Sequence, residues 1–177
     1  SMVGFTGTLF GVIGSRVNGL LVPRIGSWNT LLVALLLCGI GSISEGVSVL
    51  LASQMNPLVV PSILFWTGRV MLALGHGIYT PLLDAIASVH VGPEQQGRLF
   101  SVLKLTALVG HILGMSLLFR NFFNSSWTAG MAPLSCFVCA TIYALGSCWV
   151  FILPRWVLEF GTTADSSEKS STDEATA

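Results

Sequence analysis

Apolar runs of about twenty residues recur along the chain, separated by short polar links. Five are long enough for the roughly 20 helical residues that cross about 30 Å of hydrocarbon. They lie near 2–22, 30–51, 58–87, 99–119 and 131–153. The pattern predicts an all-α polytopic membrane helix bundle with five transmembrane helices. The first run is rich in glycine and carries Arg16 and Asn18. The third is longer than a crossing needs, so it is expected to tilt or to extend into the cytoplasm beyond Asp84. The turn from Ser53 to Pro57 predicts an antiparallel hairpin between the second and third spans. Looser links follow at 88–97 and 121–130.

Composition agrees with a lipid-solvated chain. It is 53% hydrophobic and 9% charged, with a mean hydropathy of +0.79, against about 25% charged residues in a soluble domain. Between Arg24 and Arg98 the charged residues are Glu45, Arg69, Asp84 and Glu94. Of the 8 acids, Glu159, Asp165, Glu168, Asp173 and Glu174 fall near the C-terminus. The apolar part is therefore slightly basic, and it offers no footprint for nucleic acid. Residues 1–156 form the expected bundle and 157–177 a disordered, acidic cytoplasmic tail, too polar to bury a core.

The basic residues orient the bundle. Arg24, Arg98 and Arg155 put their links in the cytoplasm, and Arg120 lies opposite. Five spans then leave Ser1 outside, and the abrupt apolar start suggests that N-terminal helices precede it or that another chain supplies them. Trp28, Trp127, Trp149 and Trp156 fall near the interfaces. Asn124-Ser125-Ser126 is a glycosylation sequon in form, but its closeness to the bilayer argues against its use. The expected location is a plasma or vacuolar membrane.

The first link, Gly19-Leu20-Leu21-Val22-Pro23-Arg24-Ile25-Gly26-Ser27-Trp28, resembles the G-x-L-x-D-R-x-G-R-R loop of the major facilitator superfamily. Gly19, Leu21, Arg24 and Gly26 match; Pro23, Ser27 and Trp28 depart from the acidic and basic positions. Gly68-Arg69, Gly75-x-Gly77 and Pro81 look like the pattern of helix four or its repeat, helix ten. Pro93-Glu94-Gln95-Gln96-Gly97-Arg98-Leu99-Phe100-Ser101 is similar to the loop before helix eleven in fungal members near the proton-coupled folate and tetracycline-efflux branches. Gly110-His111-Ile112-Leu113-Gly114 lacks the proline of the antiporter pattern. The resemblance implies helices eight to twelve plus a tail. Helices two to six would give a similar order, because the two halves are repeats; the polar C-terminus favours the former. It further implies an ion-coupled secondary transporter that moves a small solute by alternating access, as in symport, and a partial chain inactive alone.

Ionisable residues at membrane depth are candidate functional sites. Arg69, His76 and Thr80 share one face of the third span by spacing. The resemblance places that helix beside the central cavity, where the three would bind an anionic or polar solute. The structural alternative pairs Arg69 with Glu45, and a proton-carrying Glu45 is a third. His76 and His111 lie at mid-depth, where imidazoles either relay protons or serve as hydrogen-bonded core residues. Asp84, Arg98 and Lys104 form either an inner gate or a set of snorkelling interface charges, and Arg24 joins them. Cys136 and Cys139 form a C-x-x-C whose simplest role is helix packing. The residues call for no metal and no cofactor. Gly4, Gly7, Gly11 and Gly14, and the pair Gly110 and Gly114, offer small faces for close helix packing. The competing function is a non-transporting scaffold, sensor or assembly partner. With no H-E-x-x-H, no G-x-S-x-G and no paired intramembrane aspartates, an enzyme is not expected.

Overall fold

The computed structural model describes residues 2–52, 54, 59–113 and 128–154. Among these residues four α-helices follow in order: α1 (Met2–Ala52), α2 (Val59–Val89), α3 (Gln96–Leu113) and α4 (Thr128–Ile152), with a 3₁₀ turn at Pro93–Gln95. The all-α class is as expected. Among the described residues three helices are long and apolar enough to cross a membrane: residues 4–52, 59–89 and 134–152. The expected span at 99–119 corresponds to α3, which carries Arg98 and Lys104 and is described only to Leu113. Residues 114–127, with Arg120 and the sequon, and 155–177, with Arg155 and the acidic tail, lie outside the described residues.

At 51 residues α1 would be about 76 Å long if straight. Its backbone leaves the helix at Gly26, with φ 81° and ψ 160°, a region reserved for glycine because any Cβ would clash. Pro23 stands just before the break. Asn29 Nδ2 donates to the Ile25 carbonyl at 2.6 Å and Thr30 Oγ1 to the Gly26 carbonyl at 2.7 Å, so oxygens beside the break find local donors.

Contacts with α2 show how sharply the chain turns there. A Cβ built on Gly77 would collide with the backbone of Gly11, and one built on Gly75 would collide with Ala34 and Cys38. Residues 11 and 38 of a straight helix would stand about 40 Å apart. Here both flank one turn of α2, so the two arms of α1 (2–25 and 27–52) fold back side by side. The expected spans at 2–22 and 30–51 fall on those two arms, within a single helix by hydrogen bonding. Val22 packs against the cluster of Leu31, Leu82, Ile86 and Val150, further along α2 than the Gly11–Gly77 contact, so the first arm runs parallel to α2. Ser44 Oγ donates to the Leu64 carbonyl at 2.9 Å, so the second arm runs antiparallel to it.

α4 lies along the second arm, again antiparallel. Trp28 Nε1 donates to the Val150 carbonyl at 3.0 Å, and a Cβ on Gly46 would sit 3.2 Å from Cys136 Cβ. Trp28 also meets Phe151 edge to face at 5.3 Å. α3 returns against α2, with Gln96 Nε2 reaching the Ser88 carbonyl at 3.5 Å. The five helical segments thus alternate in direction. Arg24, Asp84, Arg98 and Lys104 gather at one end, and the turn after Ala52 lies at the other.

Side chains such as Leu36, Ile40, Ile63, Leu105 and Trp149 stand outward and exposed. Buried Leu31, Leu82, Ile86 and Val150 form a small core where the second arm, α2 and α4 meet. Gly41 on the second arm and Gly68 on α2 meet backbone to backbone. A Cβ at either would lie 2.7 Å from the other's carbonyl oxygen. Such contact lets dispersion and polar contacts accumulate where lipid supplies no hydrophobic drive. Gly110 has open space around it among the described residues, and Gly14, not the Gly110 face, makes the tight contact with α2.

Gly68→Val is expected to lower stability by about 2 kcal/mol, because the second-arm backbone blocks any added side chain. Gly110→Ala is expected to stay within about 0.5 kcal/mol of the parent. Unfolding by denaturing detergent in mixed micelles measures both; equal effects would contradict the packing described.

Candidate functional site

α2 carries a polar stripe along its length. Arg69, His76, Thr80 and Asp84 follow at intervals of seven, four and four, which keeps them on one face. From Arg69 to Asp84 the stripe runs about 22 Å along the axis. Each polar group must find its partner inside the protein or in water, because hydrocarbon offers none.

At the end nearer the 52–59 turn, Arg69 Nη1 lies 3.5 Å from Glu45 Oε1. The Glu45 side chain is 13% exposed and that of Arg69 34%. Of the readings open for Arg69, the structure thus shows it beside Glu45, as in the structural alternative. Glu45 Oε1 accepts no hydrogen bond of good geometry and is sealed from solvent, so the contact is chiefly charge against charge.

Half-way along α2, His76 is the meeting point of both tyrosines in the chain. Its Nε2 lies 3.1 Å from Tyr143 Oη on α4 and 3.4 Å from Tyr79 Oη one turn along α2. With the imidazole proton on Nδ1, the Tyr143 hydroxyl donates to Nε2. The rings pack too: His76 and Tyr79 centroids are 4.8 Å apart, and Tyr143 stands edge-on at 6.4 Å. Neither tyrosine was among the sequence candidates. Their signal was available: a phenol inside an apolar span needs a partner for its hydroxyl. Only its distance in the chain, 67 residues from His76, hid the match.

At the opposite end of α2, Lys104 Nζ on α3 donates to Asp84 Oδ2 at 3.0 Å. The Lys104 side chain is 63% exposed and that of Asp84 32%. This is the one described ion pair between α2 and α3. Arg24 and Arg98 are exposed at the same end and make no described ion pair with it. His111 lies on α3, and its side chain is outside the described residues.

Between the middle pair and the end pair, α2 and α3 part to leave a cleft of about 710 Å³, lined by His76, Tyr79, Thr80, Leu83, Asp84, Ile86, Ala87, Leu103, Lys104 and Ala107. The volume suits an organic solute. His76 and Thr80 are exposed toward it. Arg69 is not in its lining; Glu45 holds it elsewhere. The cysteines stay away from the cleft as free thiols: Cys38 is buried against α2, and Cys136 and Cys139 sit half-buried on α4. No group of three or more metal-binding side chains occurs among the described residues.

No family model, curated protein or solved structure matches the chain.

Removing one member of the Glu45–Arg69 pair strands the other in a poor dielectric. Arg69→Met is expected to destabilise by about 2 kcal/mol, less than a fully buried pair because Arg69 is partly exposed. Adding Glu45→Gln should restore most of that loss. A double-mutant cycle in mixed micelles measures it; additive losses would show that the pair does not couple.

Proposed function

We propose that the chain forms part of a secondary active transporter of the major facilitator type, in which five membrane-crossing segments carry one wall of a solute pathway. The arms of α1 would make two crossings, and α2, the helix containing α3, and α4 the other three. The observation that carries the proposal is the exposed His76–Thr80 stretch of the stripe, beside a cleft, in a bundle that also exposes many large apolar side chains. A stripe of this kind is costly against lipid and favourable against water or a solute. Its opposing wall would come from further helices, of this polypeptide or another.

Alternating access supplies the mechanism. Two helical bodies rock about a mid-membrane site and expose it to each side in turn. The Asp84–Lys104 pair ties α2 to α3 at the cytoplasmic end and would hold the cleft closed there in one state. His76, hydrogen-bonded to neighbours on two helices, is placed to register the change between states, and a proton or another ion would drive the cycle.

A cysteine at Thr80, in a background with Cys38, Cys136, Cys139 and Cys148 replaced by alanine, tests the proposal in oriented membrane vesicles. Alternating access predicts labelling of Thr80→Cys by an impermeant maleimide from both sides. Adding Lys104→Met should raise the cytoplasmic-side rate about fivefold, the effect of removing about 1 kcal/mol from a closed state. Labelling from one side only, unchanged by Lys104→Met, would overturn transport and favour a static scaffold.

A further inference from the structure

The charge balance of the cleft narrows what it can hold. A site that carries solute through a bilayer must compensate any charge the solute brings, because a stranded ion there is heavily penalised. Among the described residues two full charges line the cleft, those of Asp84 and Lys104. They neutralise each other across 3.0 Å. Arg69, the cation that would suit an anion, is spent on Glu45 at 3.5 Å. His76 faces two neutral phenols. The rest of the lining that matters here is apolar: Leu83, Leu103 and Ala107.

We propose that the α2–α3 cleft takes an uncharged solute, with a flat or aromatic apolar body and one or two hydroxyl-like groups. This rests on the transporter proposal for its biological meaning, but as a binding statement it stands on the cleft alone. The apolar body packs against Leu83, Leu103 and Ala107 while Tyr79 offers a ring face. The hydroxyl bonds to Thr80 Oγ1 or to the free face of the His76–Tyr79 pair, groups that both donate and accept. An anion or a cation would have to break the Asp84–Lys104 pair to find a partner, and that cost sets the selectivity. Such a neutral amphiphile reaches the cleft either from water or from the bilayer, as a sterol would.

The experiment measures equilibrium binding to the whole chain in nanodiscs at neutral pH. The probes are three of equal shape: naphthalenemethanol, naphthoate and naphthylmethylammonium. Wild type is expected to bind the alcohol about tenfold more tightly than either ion. Asp84→Asn frees Lys104 and should move the preference to naphthoate; Lys104→Met frees Asp84 and should move it to the ammonium. Leu103→Trp and Ala107→Trp fill the cleft and should abolish binding of the alcohol, with thermal unfolding of each confirming the fold. Discs with and without sterol separate the two sources: competition by sterol marks the bilayer as the supply, and its absence marks water. Tightest binding of an ion by wild type, preferences unmoved by the two charge variants, or alcohol binding that survives both tryptophans would overturn the proposal. Selective binding of the alcohol without two-sided labelling at Thr80 would sink the transport mechanism and leave the binding site standing.

Discussion

Every polar side chain inside this bundle must be compensated by the bundle itself or by water admitted to it. Hydrocarbon supplies no hydrogen bonds and screens no charge, so an unpaired group is worth several kcal/mol against folding. α2 meets the constraint in three ways. Arg69 turns to Glu45 on the neighbouring arm. His76 takes the hydroxyls of Tyr79 and Tyr143. Asp84 receives Lys104 from α3. Each solution joins α2 to a different element or holds its own face in place, so the polar stripe also organises the bundle. Thr80, between the second and third of these, lies on the cleft.

Those pairings depend on backbones that come close. Glu45 meets Arg69 one turn from the contact where Gly41 and Gly68 face each other without side chains. α1 can present its second arm to α2 only because the chain reverses at Gly26, whose positive φ no other residue would tolerate cheaply. α3 is held differently. Its contacts with α2 are few and polar, and the space between them remains as the cleft. Under the proposed alternating access α3 would be the element that shifts, because moving elements belong to the less stable part of a structure.

Much of this was legible in the residues. Helical runs, their breaks, the end at which basic residues gather and the Glu45–Arg69 contact all follow from apolar run length and from the cost of lone charges in lipid. Other features were hidden for identifiable reasons. A two-dihedral reversal at Gly26 leaves the apolar pattern unbroken on both sides, so helix continuity across the link could not be read from it. The His76–Tyr143 contact spans 67 positions, and partner choice at that distance is decided by how helices stack. Arg69 shares a helical face with His76, which suggested one common anion site; the carboxylate on the next helix captures it and, among the described residues, leaves the cleft without a free cation.

The central claim is that the face of α2 bearing His76 and Thr80 meets water, whereas the outward faces of the bundle meet lipid. Spin labels placed singly from residue 69 to residue 84 in bilayers measure this through collisions with oxygen, which concentrates in lipid, and with a water-soluble nickel chelate. The account predicts that nickel accessibility rises at 76, 80 and 84 and falls between them with the period of about 3.6 residues of an α-helix, while oxygen accessibility runs in the opposite phase. Oxygen accessibility that peaks at 76 and 80, with nickel excluded there, would place the stripe against lipid and contradict the account.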